Sequence, residues 1–238
     1  MRTTVSKVVY SLMVVGAITV LGVALYVEKI ETKDVGTGLL ALLGTLLGAT
    51  LAFRLNEDKE ARKEQAARRA ALNRALFVIA RQKNAVTVIA RELEPFKTDF
   101  ERAFNFPPVK VPPYADLMHR FEELEFLLET KDINTILRLT IEQERFHQML
   151  ECLRTRNEFY VNELQKEIAR LHLNGREFSG EAVAELLGER LFRTAMNASE
   201  VLRHHVETCA KSLPEMLSEL RSVAKRIYPK HQFVGFKE

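Results

Sequence analysis

The chain has 238 residues and a formal net charge of +3, from 35 lysines and arginines against 32 aspartates and glutamates. Because the charges nearly balance and no basic patch is interleaved with aromatic residues, the composition argues against direct nucleic-acid binding. Cys152 and Cys209 are compatible with a cytosolic location, since two thiols in a helix-rich region need no oxidising compartment.

Two uncharged apolar runs lie at the start of the chain, at residues 8–27 and 35–53. A helix of about 20 apolar residues crosses the ~30 Å hydrocarbon core of a bilayer. Residues 28–34 leave room only for a tight turn, so a transmembrane hairpin is predicted over residues 1–54. A cleaved signal peptide is less favoured, because the first run exceeds the roughly 7–15 residues of a signal core and no clear cleavage site follows.

The distribution of lysine and arginine predicts that both termini are cytoplasmic. Arg2 and Lys7 precede the first span, whereas the loop between the spans carries more acidic than basic residues. Basic residues follow the second span closely: Arg54, Lys59, Arg62, Lys63, Arg68, Arg69 and Arg74. Because lysine and arginine are retained on the cytoplasmic side, the region after the hairpin is expected in the cytosol.

The second span carries two rows of small residues. The first row has a small residue at every fourth position: Gly44, Gly48 and Ala52. The second row lies on a neighbouring face: Thr37, Ala41, Thr45 and Ala49. Such rows let helix backbones approach closely. One row can pack the two helices of the hairpin together, but two rows need two partners, which favours self-association. Neither span contains an Asp, Glu, Lys, Arg or His residue, which argues against a transporter.

The second span is expected to continue into the cytosol as one helix. No proline or glycine occurs from residue 49 to residue 94, so a helical stalk is predicted over residues 55–94, ending near Pro95. An apolar residue recurs at every seventh position: Leu72, Ile79, Val86 and Leu93. This stripe predicts a helix packed along one side. Gln82 interrupts it, so a strong zipper is not expected.

Residues 95–238 are predicted to form a cytosolic antiparallel bundle of long helices, in an all-α protein. It begins with a connector rich in phenylalanine and proline at residues 96–114, with a short helix to Phe104 and then an extended segment. Packing of this connector on the helices is favoured over a peptide-binding role. Four further segments are predicted as helices: 115–129, 133–173, 179–211 and 215–227.

Helix-boundary residues support these segments. Asp132 is placed to act as the N-cap of the helix over 133–173, and Asn174 with Gly175 is a good stop. Pro214 is interpreted as the first residue of the last helix, because proline is tolerated in the first turn.

Few side chains are arranged for chemistry. His205 and Cys209 have the i, i+4 spacing of metal ligands on a helix, but the sequence offers no second pair. Glutamate-rich runs near Glu123 and Glu142 lack the Glu-x-x-His spacing of carboxylate-bridged metal sites. No phosphate-binding glycine loop or nucleophile elbow is present. We therefore expect no catalytic residue, metal or cofactor.

One short motif keeps an enzymatic alternative open. The segment from Arg226 to His231 resembles the Arg-x4-His motif of HEPN-type ribonucleases, which are helical proteins of bacterial defence. Pro229 lies inside the motif, where that family has helix. A membrane-tethered HEPN-like ribonuclease is therefore an alternative.

The order of segments, with two spans, a charged stalk and a helical domain, resembles the small two-transmembrane effectors of bacterial anti-phage systems. Those encoded beside retron reverse transcriptases are the nearest analogues. The resemblance covers the whole chain as an architecture and carries no individual residue. It implies a non-enzymatic, homo-oligomeric effector of the bacterial inner membrane. A cytosolic protein or ribonucleoprotein partner holds such an effector inactive until infection, when it permeabilises the bilayer. The alternative from another class is a non-toxic membrane-anchored scaffold.

Overall fold

The computed structural model describes residues 32–111, 117–173 and 180–235, together with Gly16, Thr19 and Gly22. Regular structure in these ranges is helical and includes no strand, so the predicted all-α class is confirmed. Apart from Gly16, Thr19 and Gly22, the predicted first span, 8–27, lies outside the described residues. So do residues 28–31 of the predicted loop and the predicted helix stop at Asn174 and Gly175. Contacts divide the chain into two units, Met1–Gln65 and Ala66–Glu238.

The α-helices are α1 Thr32–Leu93, α2 Asp99–Phe104, α3 Ile133–Phe159, α4 Gln165–Arg170, α5 Gly180–Leu187 and α6 Glu189–Ile227. A 3-10 helix covers Phe121–Glu129, and a π-helix, Tyr160–Leu164, lies between α3 and α4. Thus α1 contains the predicted second span and the stalk. Its last residue, Leu93, lies two positions before Pro95.

Local signals explain the short helix α2. The Thr98 side chain accepts a hydrogen bond from the Glu101 amide, and the Glu101 carboxylate accepts one from the Thr98 amide. This reciprocal pair is a capping box, which satisfies two amides at the start of a helix. The predicted helix over 115–129 is corrected to a 3-10 helix that begins at Phe121, after a segment without regular secondary structure at residues 117–120.

The predicted helix boundary at Pro214 is wrong. Helix α6 runs through Pro214, and the break falls instead at Gly188, whose φ of 77° is readily adopted only by glycine. An internal proline removes one backbone hydrogen bond and crowds the carbonyl four residues earlier. That carbonyl belongs to Ala210, an exposed residue, whereas Leu213 and Met216 beside the proline are buried. Their packing offsets the cost of the proline.

The role expected for Asp132 is also corrected. Asp132 occupies the N-cap position of α3, but its side chain makes no capping hydrogen bond. Its carboxylate instead accepts a hydrogen bond from Arg226 in the last turn of α6. The Asp132 amide donates to the Thr130 hydroxyl over 3.1 Å. The residue type predicted that Asp132 would stand at the start of α3. It could not predict that the carboxylate would bind Arg226, which is distant in sequence.

Helices α1, α3 and α6 share two apolar clusters within the second unit. The first cluster includes Leu72, Ile79, Leu139 and Leu220. The second includes residues later on α1 and α3 and earlier on α6: Val86, Ile89, Phe146, Met149, Leu202 and Val206. Helix α6 therefore runs antiparallel to α1 and α3 across these clusters.

Buried positions on α6 alternate by three and four residues along most of the helix: Ser199, Leu202, Val206, Cys209, Leu213, Met216, Leu220 and Val223. Alternation of this kind is typical of helices that pack side by side at a small angle, with side chains inserted between those of the neighbouring helix. The apolar stripe predicted on α1 lies in the same core, since Leu72, Ile79 and Val86 are at most 1% exposed.

Candidate functional site

One helix in the described part of the chain is long and apolar enough to span a membrane. An 18-residue window within α1 has a mean hydropathy of 1.8, and none of that window is buried. Its large apolar side chains are exposed, including Leu40 at 73%, Leu47 at 68% and Phe53 at 71%. A helix satisfies its own backbone hydrogen bonds, so this apolar surface is suited to hydrocarbon.

Both predicted rows of small residues lie on this exposed part of α1. Gly44, Gly48 and Ala52 are all exposed. A β-carbon added at Gly44 or Gly48 would meet no atom within 4 Å, so both positions face open space in the described chain. In the second row Thr37, Ala41 and Thr45 are exposed and Ala49 is half-buried.

Threonine hydroxyls on this segment bond to their own helix. The Thr45 hydroxyl donates to the Ala41 carbonyl over 2.8 Å, and the Thr50 hydroxyl donates to the Leu46 carbonyl over 2.7 Å. An unpaired hydroxyl is costly in hydrocarbon, and bonds to the carbonyl four residues earlier remove that cost. These threonines therefore add little polarity to the helix surface.

A buried polar layer separates the two apolar clusters that α1, α3 and α6 share. We call Gln82, His119 and Gln143 the glutamine layer. The Gln82 amide nitrogen donates to the Leu117 carbonyl over 3.1 Å and to the Gln143 side-chain oxygen over 3.2 Å. That oxygen also accepts the His119 backbone amide over 3.2 Å. The layer thus joins α1, α3 and the segment at residues 117–120 before the 3-10 helix.

The glutamine layer is incompletely satisfied. Gln82 is fully buried and its side-chain oxygen has no hydrogen-bond partner among the described residues, nor has either ring nitrogen of His119. The His119 ring adjoins a cavity of about 10 Å³, next to Arg74, Arg120 and Glu123. Such a volume has room for about one water molecule. Burial lowers the pKa of His119 to about 4, so the imidazole is neutral at pH 7.

A buried carboxylate lies directly beside the layer in sequence, at the residue before Gln143, on the side of α3 that faces α6. Glu142 is 6% exposed and accepts hydrogen bonds from Arg145 on its own helix and from Ser212 on α6. Burial, together with the charge of Glu142, raises the pKa of Cys209 to about 11. Cys209 is therefore a neutral, unreactive thiol.

Arg156 and Asn157 hold the connector on the helices. The buried Arg156 guanidinium donates to the carbonyls of Phe106 and Pro107, and it lies 4.7 Å from the Phe106 ring centre. The Asn157 side chain donates to the Val109 carbonyl over 2.6 Å. Burial lowers the pKa of Arg156 to about 10, which leaves it charged at pH 7. Residues 106–111 thus pack on the helices.

The residues considered for metal binding do not form a recognisable ligand set. The rings of His204 and His205 lie 5.7 Å apart, whereas Cys209 is fully buried in the second apolar cluster. Within the described ranges, no group of three or more His, Cys, Asp or Glu side chains is arranged to hold a metal ion.

Arg226 and His231, the two residues of the ribonuclease-like motif, have different surroundings. Helix α6 ends at Ile227, so Arg226 lies in its last turn and His231 lies beyond it. Arg226 forms an ion pair with Asp132. The His231 ring packs edge-on against Phe233, with ring centres 4.8 Å apart, and its backbone carbonyl accepts a hydrogen bond from Lys225.

Sequence reasoning missed the glutamine layer, although a partial signal was present. Gln82 was recognised only as an interruption of the apolar stripe, and the polar pair Glu142 and Gln143 similarly lies between the buried Leu139 and Phe146. Polar residues at equivalent places in two predicted helices indicate a shared layer.

Comparison of the chain with family models, curated proteins and solved structures found no match to any of the three.

Proposed function

We propose that the protein is an inner-membrane effector of bacterial anti-phage defence. In this proposal it multimerises through the second span and disrupts the membrane when its cytosolic helical bundle is released by a partner or trigger. The observation that carries the proposal is the open row Gly44, Gly48 and Ala52 on the mostly exposed, uncharged segment 40–53 of α1. Rows of small residues support close helix–helix contact in bilayers, where apolar burial alone gives no driving force.

In this proposal, the glutamine layer is the place at which the packing of the bundle opens. Buried polar groups without partners each cost about 1–3 kcal/mol, so this layer is a weak point between two well-packed clusters. A cytosolic protein or ribonucleoprotein that binds the closed packing holds the effector inactive, and loss of that partner favours the open packing. Because a ligand shifts an equilibrium only by its differential affinity, the partner must contact a surface that changes on opening.

The test is Gly48→Leu in the full chain, expressed in bacteria under an inducible promoter. We expect the parent to depolarise the membrane and stop growth, and Gly48→Leu to abolish both effects while still inserting. Gly36→Leu is the matched control, because Gly36 is also exposed with no atom within 4 Å of an added β-carbon and lies about 80° or more around the helix from every member of both rows. Undiminished toxicity of Gly48→Leu would refute assembly through this row.

Exchange of residues 1–54 for an unrelated two-helix hairpin separates an effector from a membrane-anchored scaffold. An effector loses its toxicity on the exchange, because the assembling helix is removed. A scaffold keeps its function, because any anchor suffices. A chain beginning at Arg54, expressed beside the parent, shows whether the cytosolic region alone affects membrane potential; the proposal requires that it does not.

A further inference from the structure

The residues that follow α6 lie against both α6 and α1. We call residues 231–235 the strap. The Val234 amide donates to the Asn73 side-chain oxygen on α1 over 3.0 Å. The Val234 carbonyl accepts a hydrogen bond from the Arg221 guanidinium on α6 over 3.2 Å. One residue of the strap thus connects two helices through its backbone, whatever its own side chain.

Three further strap residues add to this contact. Phe233 is half-buried and packs against the first apolar cluster. The His231 backbone carbonyl accepts a hydrogen bond from Lys225 over 2.9 Å. A β-carbon added at Gly235 would lie 2.5 Å from an Arg221 side-chain nitrogen, which is closer than β-carbons approach other atoms. The lack of a side chain at Gly235 therefore lets the guanidinium lie against the strap.

The strap is bound at the point where packing of α1 begins. Asn73 directly follows Ala71 and Leu72, which are the first buried residues among those described on α1. Arg69, one turn earlier on the same side of α1, lies 5.9 Å from the centre of the Tyr228 ring at the end of α6. Release of the strap therefore removes contacts from the first packed turns of α1, and not from its later part.

The strap is held by contacts that open easily. Val234 is 36% exposed, and Gln232 and Gly235 are exposed as well. A hydrogen bond that lies in contact with water adds little to stability, because water replaces either partner when the bond breaks. Segments with exposed backbone hydrogen bonds and few buried side chains open locally, without unfolding of the whole domain.

We propose that the strap is a releasable restraint on α1. Closed, it holds the first packed turns of α1 on α6. Its release loosens these turns and precedes the opening at the glutamine layer. A partner that binds over the closed strap keeps α1 packed, and loss of that partner favours release. The effect of release on the membrane rests on the function proposed above, whereas the release itself does not.

Hydrogen exchange of the full chain in detergent, measured by mass spectrometry, tests the restraint. Asn73→Ala removes the acceptor of the Val234 amide. Gly235→Ala brings a β-carbon against the Arg221 guanidinium, which must then move off the strap. Each variant should raise the exchange rate about fivefold in residues 66–80, because one exposed hydrogen bond is lost. Residues 85–93, which pack in the second cluster, should keep the parent rate.

Matched controls separate the strap from a general loss of stability. Asn84→Ala removes an exposed asparagine from α1, and Gln232→Ala removes an exposed side chain from the strap itself. Both should exchange at the parent rate throughout. The proposal is overturned if Asn73→Ala and Gly235→Ala exchange no faster than these controls. It is also overturned if their exchange rises equally along the whole of α1.

Growth after induction tests the consequence for the membrane. Asn73→Ala and Gly235→Ala should stop growth at about fivefold less inducer than the parent, because the released fraction rises by that factor. Adding Gly48→Leu to either variant should make it harmless. Faster exchange with unchanged toxicity, while Gly48→Leu still abolishes toxicity, would show that the strap does not regulate the effector. If the parent and both variants are all harmless, the proposed function fails, and the exchange rates alone decide on the restraint.

Discussion

Gln82 and Gln143 are 61 residues apart in sequence and share a hydrogen bond of 3.2 Å in the core. Gln82 is fully buried, and Gln143 is 4% exposed. The bond lies between two apolar clusters, where no other direct side-chain hydrogen bond between α1 and α3 occurs among the described residues. It therefore fixes the register of these two helices, as buried polar residues do in coiled coils.

Replacement of Gln143 should destabilise the helical region. In Gln143→Leu, the Gln82 amide and the His119 backbone amide both lose an acceptor, and a buried donor without a partner costs about 1–3 kcal/mol. We expect a loss of about 2 kcal/mol in the free energy of unfolding, measured by denaturant titration in detergent. Gln148→Leu, on the exposed side of the same helix, should change it by less than about 0.5 kcal/mol. Equal effects of the two variants would contradict a role for the layer.

His119 should make stability depend on pH. Its pKa is about 4 in the folded chain, below the ordinary 6.5, so the folded state binds fewer protons than the unfolded state between these values. Stability therefore falls as the pH is lowered from about 6.5 towards 4, and the His119 contribution at pH 5 is a loss of about 2 kcal/mol.

The variant His119→Leu isolates this contribution. The difference in unfolding free energy between pH 7 and pH 5 should shrink by about 2 kcal/mol relative to the parent. The nearby charged groups Arg74, Arg120 and Glu123 are retained in both chains, so the comparison isolates the imidazole. His204→Leu, at an exposed histidine on α6, is the control. An unchanged pH dependence in His119→Leu would refute the prediction.

Arg156 should govern how firmly the connector is held. Arg156→Ala removes the donors to the Phe106 and Pro107 carbonyls and the packing on Phe106, with an expected loss of about 3 kcal/mol. Limited proteolysis should then cut the connector faster. Arg154→Ala, which removes only exposed ion pairs with Glu151 and Glu158, should cost less than about 1 kcal/mol. Equal protease resistance of the Arg156 variant and the parent would show that the connector is held by other contacts.

Replacement of Pro214 by alanine should stabilise the folded helical region. Pro214→Ala restores an amide donor for the Ala210 carbonyl within α6 and removes the clash of the proline ring. A gain of about 1–2 kcal/mol is expected, because the greater freedom of the unfolded chain offsets part of the benefit. The midpoint of thermal unfolding, followed by circular dichroism, measures it. A lower midpoint would show that α6 requires the local distortion.

His231→Ala separates the effector from the ribonuclease alternative. The proposed effector uses no side chain from the C-terminal motif, so toxicity and depolarisation should be unchanged. A ribonuclease with an Arg-x4-His motif would lose its activity, and growth arrest with it. The readout is growth together with total RNA integrity after induction. Loss of toxicity with normal protein abundance would favour the ribonuclease.

Local signals determined much of the helical structure. Absence of proline and glycine predicted an uninterrupted α1, Pro95 predicted its end, and the Thr98 capping box explains the start of α2. These features act within one or two turns, so sequence alone reveals them. The exposed small-residue row on α1 is also a matter of helix spacing, which is why its place on the apolar segment of α1 was predictable.

Tertiary packing decided the rest. Proline is typical of the start of a helix, yet the buried neighbours of Pro214 keep α6 continuous. The break falls instead at Gly188, where the backbone has a positive φ. Asp132 carries the residue type of a cap, yet Arg226 binds it from another helix. In the sequence, Gln82 is only an interruption of an apolar stripe. It is part of a hydrogen-bonded layer because Gln143 and His119 lie beside it in the folded chain. The sequence by itself therefore determined those features that are set within a turn or two, such as the uninterrupted α1 and its end before Pro95, because propensity and periodicity are local. Only the tertiary structure decided which polar groups meet, because residues distant in sequence supply the partners.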